Sequence, residues 1–175
     1  VKFIPQELAG VWLIEPEWIS DERGSFGRTW CAREFEGRGL NPRLVQCNIS
    51  TNRRQGTVRG MHFQREPHAE VKLVRCTRGA IFDVIVDLRP GSPTFRLWVA
   101  QELSADNHRM FYIPEGFAHG FQTLTDDAEV FYQMSHEFVP GAGDGVRWND
   151  PAIDVRWPLP ISVISERDQI WPELP

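Results

Sequence analysis

Four side chains in this sequence have types suited to proton or charge chemistry: His62, Lys72, Tyr132 and Asp168. His62 sits in Arg59-Gly60-Met61-His62-Phe63-Gln64, between apolar residues and just after a glycine that permits tight backbone. Such an imidazole can be a general base near neutral pH, although a lone histidine is more often a core residue satisfied by carbonyls. Lys72 falls in a run where Val71, Leu73, Val74 and Cys76 are all apolar. That pattern fits a strand covered on both faces, where an ammonium is costly unless its charge is paired or used. Tyr132 alternates along Val130-Phe131-Tyr132-Gln133-Met134, where the commoner role is a core aromatic with a bonded hydroxyl. Asp168, in Ser165-Glu166-Arg167-Asp168, would ordinarily be a helix-start carboxylate or a surface charge. None of the four decides a function alone.

Composition singles out two of them. Among 19 basic residues only Lys2 and Lys72 are lysines, and beside 11 Phe and 7 Trp only Tyr112 and Tyr132 are tyrosines. A chain so inclined to Arg and Phe departs from habit where an ammonium or a phenol is needed.

A metal site is the competing chemistry. Pro114-Glu115-Gly116-Phe117-Ala118-His119 matches the second half of the cupin signature, Pro-x-Gly-x-x-His. The first half should offer His-x-His and then a carboxylate, but here it reads His62 and then His68-Ala69-Glu70. Ligand spacing is what identifies a metal site, so His62, His68, Glu70 and His119 make a weak set and no metal is expected. Cys47 or Cys76 as a nucleophile is weaker still, since both fall in apolar strand patterns without any sign of thiolate activation.

The elements that must position these groups are short strands. Apolar runs predict strands at Gly10 to Glu15, Leu44 to Ser50, Val71 to Cys76, Ile81 to Asp87, Phe95 to Glu102, Met110 to Ile113, His119 to Leu124 and Glu129 to Ser135. Turn chemistry at Asp21–Gly24, Arg78–Gly79, Pro90–Pro93 and Pro140–Gly145 separates many of them. One helix is predicted at Cys31 to Arg38, ending at Gly39. A Pro- and Trp-rich tail from Asp150 to Pro175 should carry a second near Ser165 to Ile170. The expectation is one mostly β domain over residues 1–175, a sandwich or barrel.

The formal charge of -5 argues against a nucleic-acid binder. No apolar run approaches a bilayer span and no signal-peptide pattern opens the chain, so no membrane partner is expected. Three widely spaced cysteines, Cys31, Cys47 and Cys76, give no disulfide framework and fit a reduced cytoplasm.

Taken in order, longer blocks closely resemble the dTDP-4-dehydrorhamnose 3,5-epimerase family over nearly the whole length. They include Asp21-Glu22-Arg23-Gly24, Gln46-Cys47-Asn48-Ile49-Ser50 and Gly56-Thr57-Val58-Arg59-Gly60-Met61-His62-Phe63-Gln64. Pro67-His68-Ala69-Glu70-Val71-Lys72-Leu73-Val74-Arg75, Phe82-Asp83-Val84, Ile113-Pro114-Glu115-Gly116-Phe117-Ala118-His119-Gly120-Phe121 and Gly145-Val146-Arg147-Trp148 continue the match. The resemblance implies a cupin-like jelly-roll barrel with a few short helices, no metal or organic cofactor, and a homodimer that exchanges N-terminal strand contacts. The implied substrate is dTDP-4-keto-6-deoxyglucose. His62 would be the base, Asp168 its orienting carboxylate, Tyr132 the acid on the opposite sugar face, and Lys72 the cation beside the C4 oxygen. Arg23 and Arg59 match diphosphate-binding positions; Phe26, Gln46, Asn48 and His119 line the substrate pocket, and Phe138 would stack on thymine.

That assignment explains the residue types. A C4 ketone acidifies the protons on C3 and C5, so one site can invert both carbons. The enolate formed needs a fixed positive neighbour, which a compact ammonium supplies better than a diffuse guanidinium. Inversion needs a base on one face and a proton donor on the other.

The chain also departs from the family. Phe63 and Phe138 stand where relatives often carry Tyr, and Arg28 and Gly143 where many have Glu, so the Val139–Asp144 loop should lack a substrate-side carboxylate. Three other functions stand beside the 3,5-epimerase: a mono-epimerase or an enzyme for another 4-keto nucleotide sugar, a metal-dependent cupin enzyme, and an idle sugar-nucleotide binding module.

Overall fold

The computed structural model describes residues 1–174; Pro175, the end of the predicted tail, lies outside the described residues. The elements are β1 (Lys2–Pro5), β2 (Trp12–Glu15), β3 (Trp18–Asp21), β4 (Gly24–Gly27), α1 (Ala32–Glu36), β5 (Gln46–Asn52), β6 (Thr57–Gln64) and β7 (Lys72–Arg78). They continue with β8 (Ala80–Asp87), β9 (Trp98–Ser104), β10 (Met110–Ile113), β11 (Phe117–Thr123), β12 (Ala128–Met134), β13 (Gly143–Gly145), β14 (Val163–Ile164) and α2 (Glu166–Gln169).

Ten of the strands with β13 and β14 form two sheets. One runs β1-β2-β10-β7-β12-β5; the other runs β13-β6-β11-β8-β9, with β14 beside β6. Strands β3 and β4 make a separate hairpin. The inner faces share one core: Leu13, Val74, Phe111 and Val130 from the first sheet meet Ile81, Ile85, Leu103 and Phe121 from the second. Burying each such side chain contributes about 1.5–3 kcal/mol. The outer faces are covered too. Phe35 of α1 packs on Ile14, Leu73 and Met110, while Ile153 and Trp157 of the tail pack near Val84 and Val86. This double cover explains why β7 and β8 read as nearly continuous apolar runs rather than alternating ones.

Several sequence boundaries need correction. The predicted strand starting at Phe95 begins at Trp98, because residues 94–97 turn and Arg96 takes φ +70°. The segment from Leu44 starts pairing at Gln46 and runs on to Asn52. Strand β6 was not predicted; its Arg, Gly, His and Gln interrupt any apolar alternation. The Pro140–Gly145 turn contains β13, three residues held against β6. Helix α1 is shorter than predicted, closing at Gly37 rather than Gly39.

Glycine permits the closest contact between strands. A Cβ on Gly60 (φ +115°) would fall 2.5 Å from the Gly120 Cα, and one on Gly120 would fall 2.6 Å from the Met61 Sδ. Strands β6 and β11 therefore pinch together where their register shifts, between His119 and Phe121.

Candidate functional site

One cavity of about 900 Å³ opens between the two sheets, and His62, Lys72, Tyr132 and Asp168 all line it. The second sheet supplies His62 from β6, and the first supplies Lys72 from β7 and Tyr132 from β12. The residues come together because paired strands place them on inward-facing positions.

Asp168 arrives from the tail. Val163 and Ile164 pair in parallel with Thr57 and Val58 of β6, and α2 follows at once. Ser165 caps it, its hydroxyl accepting the Asp168 N–H at 3.1 Å. The Asp168 Oδ1 meets His62 Nε2 at 2.6 Å, and Oδ2 accepts the Gly60 N–H at 3.2 Å. Burial pushes the Asp168 carboxyl up, but the His62 hydrogen bond and charge, with the Gly60 N–H, outweigh it and hold the group below the usual carboxylate range. An ionised carboxylate on Nε2 keeps the proton there and leaves Nδ1 as the basic nitrogen.

Lys72 is paired as its surroundings demand. Its Nζ lies 2.9 Å from Glu70 Oε1, both side chains buried, and donates to the His62 carbonyl at 3.1 Å. An ammonium has three N–H groups; two are engaged and one is left for the cavity. Burial raises the Tyr132 hydroxyl above its ordinary value, with Arg59 drawing it partly back, so the phenol stays protonated at neutral pH. The chain's other tyrosine is structural: the Tyr112 hydroxyl accepts the Asn41 N–H at 2.9 Å.

The other predicted residues divide. Gln46, Asn48, Arg59, His119 and Phe138 line the same cavity. Gln46 Oε1 accepts the Phe138 N–H at 2.8 Å, holding that ring at the rim. Arg59 Nε donates to Asn52 Oδ1 at 2.7 Å. His119 Nε2 meets Asp83 Oδ1 at 2.8 Å, and burial raises the Asp83 carboxyl despite the His119 charge. Arg23 and Phe26 lie outside their own chain's cavity, on the β3–β4 hairpin. The Arg23 side chain is 85% exposed and pairs with Asp21; Phe26 is 73% exposed.

Sequence reasoning gave no role to Arg167 or Asp83, and weighed Glu70 as a metal ligand rather than as the partner of Lys72. An acid among the apolar residues of β8 was a readable signal for Asp83. The Val139–Asp144 loop also needs correction, because Asp144 lines the cavity and stands 3.6 Å from Arg65. The four metal-ligand candidates do not converge: His62 is held by Asp168, His119 by Asp83 and Glu70 by Lys72, while His68 packs on His136. Among the described residues no group of three His, Cys, Asp or Glu is placed to hold an ion. Cys47 is exposed rather than set in an apolar strand face, and burial pushes the Cys76 thiol up to about 11.

The family model described as dTDP-4-dehydrorhamnose 3,5-epimerase matches residues 5–175. The chain belongs to this family. A relative named dTDP-4-dehydrorhamnose 3,5-epimerase in Methanothermobacter thermautotrophicus is 46% identical over 99% of this chain and 94% of its own. The solved structure of the Bacillus anthracis 3,5-epimerase, with TDP and PPi bound, is 41% identical and superposes with a TM-score of 0.95 over 99% of both chains. A protein named dTDP-4-dehydrorhamnose 3-epimerase in Streptomyces niveus is 41% identical over 94% of this chain and 80% of its own. The cupin-like jelly roll expected from the sequence is the fold of this epimerase family, and the chain is an isomerase of that kind.

Proposed function

We propose that the chain inverts C3 and C5 of dTDP-4-keto-6-deoxyglucose, giving dTDP-4-keto-L-rhamnose, by proton transfer beside the C4 ketone. The observation that carries this reading is the shared cavity of His62, Lys72 and Tyr132, with Lys72 bonded to the His62 carbonyl. His62 Nδ1 removes the proton from the carbon next to the ketone, and Asp168 stabilises the imidazolium that forms. The remaining Lys72 N–H faces the C4 oxygen as it becomes an enolate. Tyr132, on the opposing sheet, returns a proton to the other face of the carbon. Repeating the sequence at the second acidified carbon completes the reaction. Each of these groups is asked for a factor of about 10²–10⁴ or less.

Arg59 serves the diphosphate, Phe138 stacks on the base, and Gln46, Asn48 and His119 line the sugar and nucleotide path. Arg23 and Phe26 act from a second copy of the chain: both are exposed and neither lines the cavity of its own chain, so a homodimer completes each site. The active unit is one domain, and its three free thiols suit a reducing cytoplasm.

The test is proton exchange in D2O with dTDP-4-keto-6-deoxyglucose. Deuterium entering both C3 and C5, with product passing to a rhamnose-forming reductase, supports the reading; no label at either carbon removes it. A second reading, inversion at C3 alone, is favoured by the likeness to the Streptomyces niveus 3-epimerase, and label confined to C3 would select it.

A further inference from the structure

The C-terminal segment contributes more to the His62–Asp168 pair than the carboxylate. Trp171 Nε1 donates to Asp168 Oδ1 at 3.3 Å, the same oxygen that meets His62 Nε2 at 2.6 Å. Its indole lies edge-on to the imidazole, with ring centroids 6.2 Å apart and planes at 69°. The Arg167 guanidinium sits over the indole, 4.9 Å from its centroid. Trp171 does not line the cavity; it reaches the site through Asp168 and the imidazole.

The neighbouring backbone is built to admit this indole. Gly145 pairs in register with His62, and a Cβ on it would come within 2.5 Å of Trp171 Cε2, 2.7 Å of Nε1 and 2.7 Å of the Met61 carbonyl oxygen. Gly145 has no left-handed conformation to demand glycine; what its position requires is space for the ring and for the Met61 carbonyl of β6. An aspartate carboxyl rotates over a broad torsional well. Here Gly60 anchors one oxygen, and Trp171 with His62 anchors the other.

We propose that Trp171 is a positioning residue for the epimerase reaction: through the shared Asp168 oxygen and the edge contact, it fixes the plane of the His62 imidazole for proton abstraction. This rests on the reading of His62 as the base. Geometry errors near 1 Å cost a catalyst up to about a hundredfold, so loss of one anchor should be visible in turnover while substrate affinity is spared.

The experiment compares wild type with Trp171→Phe, which keeps a ring and loses the N–H, and with Trp171→Ala, which loses the edge contact as well. Expected for both is a kcat lower by about tenfold with KM for the dTDP-sugar unchanged. The downfield proton resonance of the His62–Asp168 hydrogen bond should shift or broaden in parallel. If both variants keep kcat within about twofold and leave that resonance unmoved, Trp171 is only a packing residue and the proposal falls. His62→Ala in the same assay separates the two ideas, because full turnover there would remove the base itself.

Discussion

The Lys72 ammonium donates to the backbone carbonyl of His62 at 3.1 Å, although the two residues stand on opposing sheets. The cation and the imidazole are thus referenced to each other through the main chain, so in the proposed reaction a sugar ketone would fit between a fixed charge and a fixed base. Glu70 completes the arrangement from the other side at 2.9 Å.

Replacing Lys72 by Met should abolish turnover and also destabilise the fold by about 3–5 kcal/mol, because it leaves the Glu70 carboxylate buried without its partner. The double variant Lys72→Met, Glu70→Met should recover most of that stability and none of the activity. Urea unfolding alongside the product assay checks both; recovered activity in the double variant would contradict the role given to the ammonium.

His62→Ala and Tyr132→Phe should each reduce kcat by roughly 10²–10⁴ while leaving dTDP affinity nearly unchanged. They should differ in D2O. With the base intact and the opposite donor gone, Tyr132→Phe still exchanges the substrate proton, but returns deuterium to the face it left. NMR of recovered substrate reads this directly, and net inversion at the wild-type rate would exclude Tyr132 as the donor.

Acid should unfold this protein in part through Asp87 and Asp168. Burial alone would raise the Asp87 carboxyl, but Arg89, Ser92 and Thr94 together hold it far below the usual range; Asp168 is lowered as well, against its own burial cost. A depressed folded pKa contributes stability above the unfolded value, near 4 for an aspartate, and that contribution is lost as pH falls toward the folded value. Denaturation midpoints should therefore decline below about pH 4, and Asp87→Asn should lower stability at pH 7 while flattening that decline. A parallel pH curve in the variant would assign the acid response elsewhere.

If Arg23 and Phe26 serve the partner's cavity, inactive variants should rescue each other. Arg23→Ala/Phe26→Ala homodimers and His62→Ala homodimers should each turn over poorly. After mixing and subunit exchange, a heterodimer carries one cavity with an intact base and an intact incoming hairpin. Activity should rise on mixing; unchanged rates despite verified exchange would place the hairpin outside the site.

The sequence picked out residues of the cavity better than the elements that carry them. The rarity of lysine and tyrosine pointed to Lys72 and Tyr132, and both face the cavity. It could not reveal β6, because Arg59, Gly60, His62 and Gln64 interrupt the apolar alternation that marks a strand. Glu70 was legible as a carboxylate but not as the partner of Lys72, since that pairing is a fact of side-chain geometry. The Trp171 bond spans only three residues to Asp168, but its meaning depends on His62, 106 residues before that carboxylate, and local pattern carries no record of such distances.

That separation sets an order of assembly. His62 and Asp168 lie 106 residues apart, and β14, which brings them together, pairs with a strand laid down far earlier. Chains emerge from the ribosome N-terminus first, so a nascent chain already holds its imidazole, ammonium and phenol while its carboxylate is still unmade. If Asp168 orients the base as proposed, the enzyme is not fully competent until the tail has folded back, and a chain cut short after Trp157 would lack the carboxylate that holds the His62 ring.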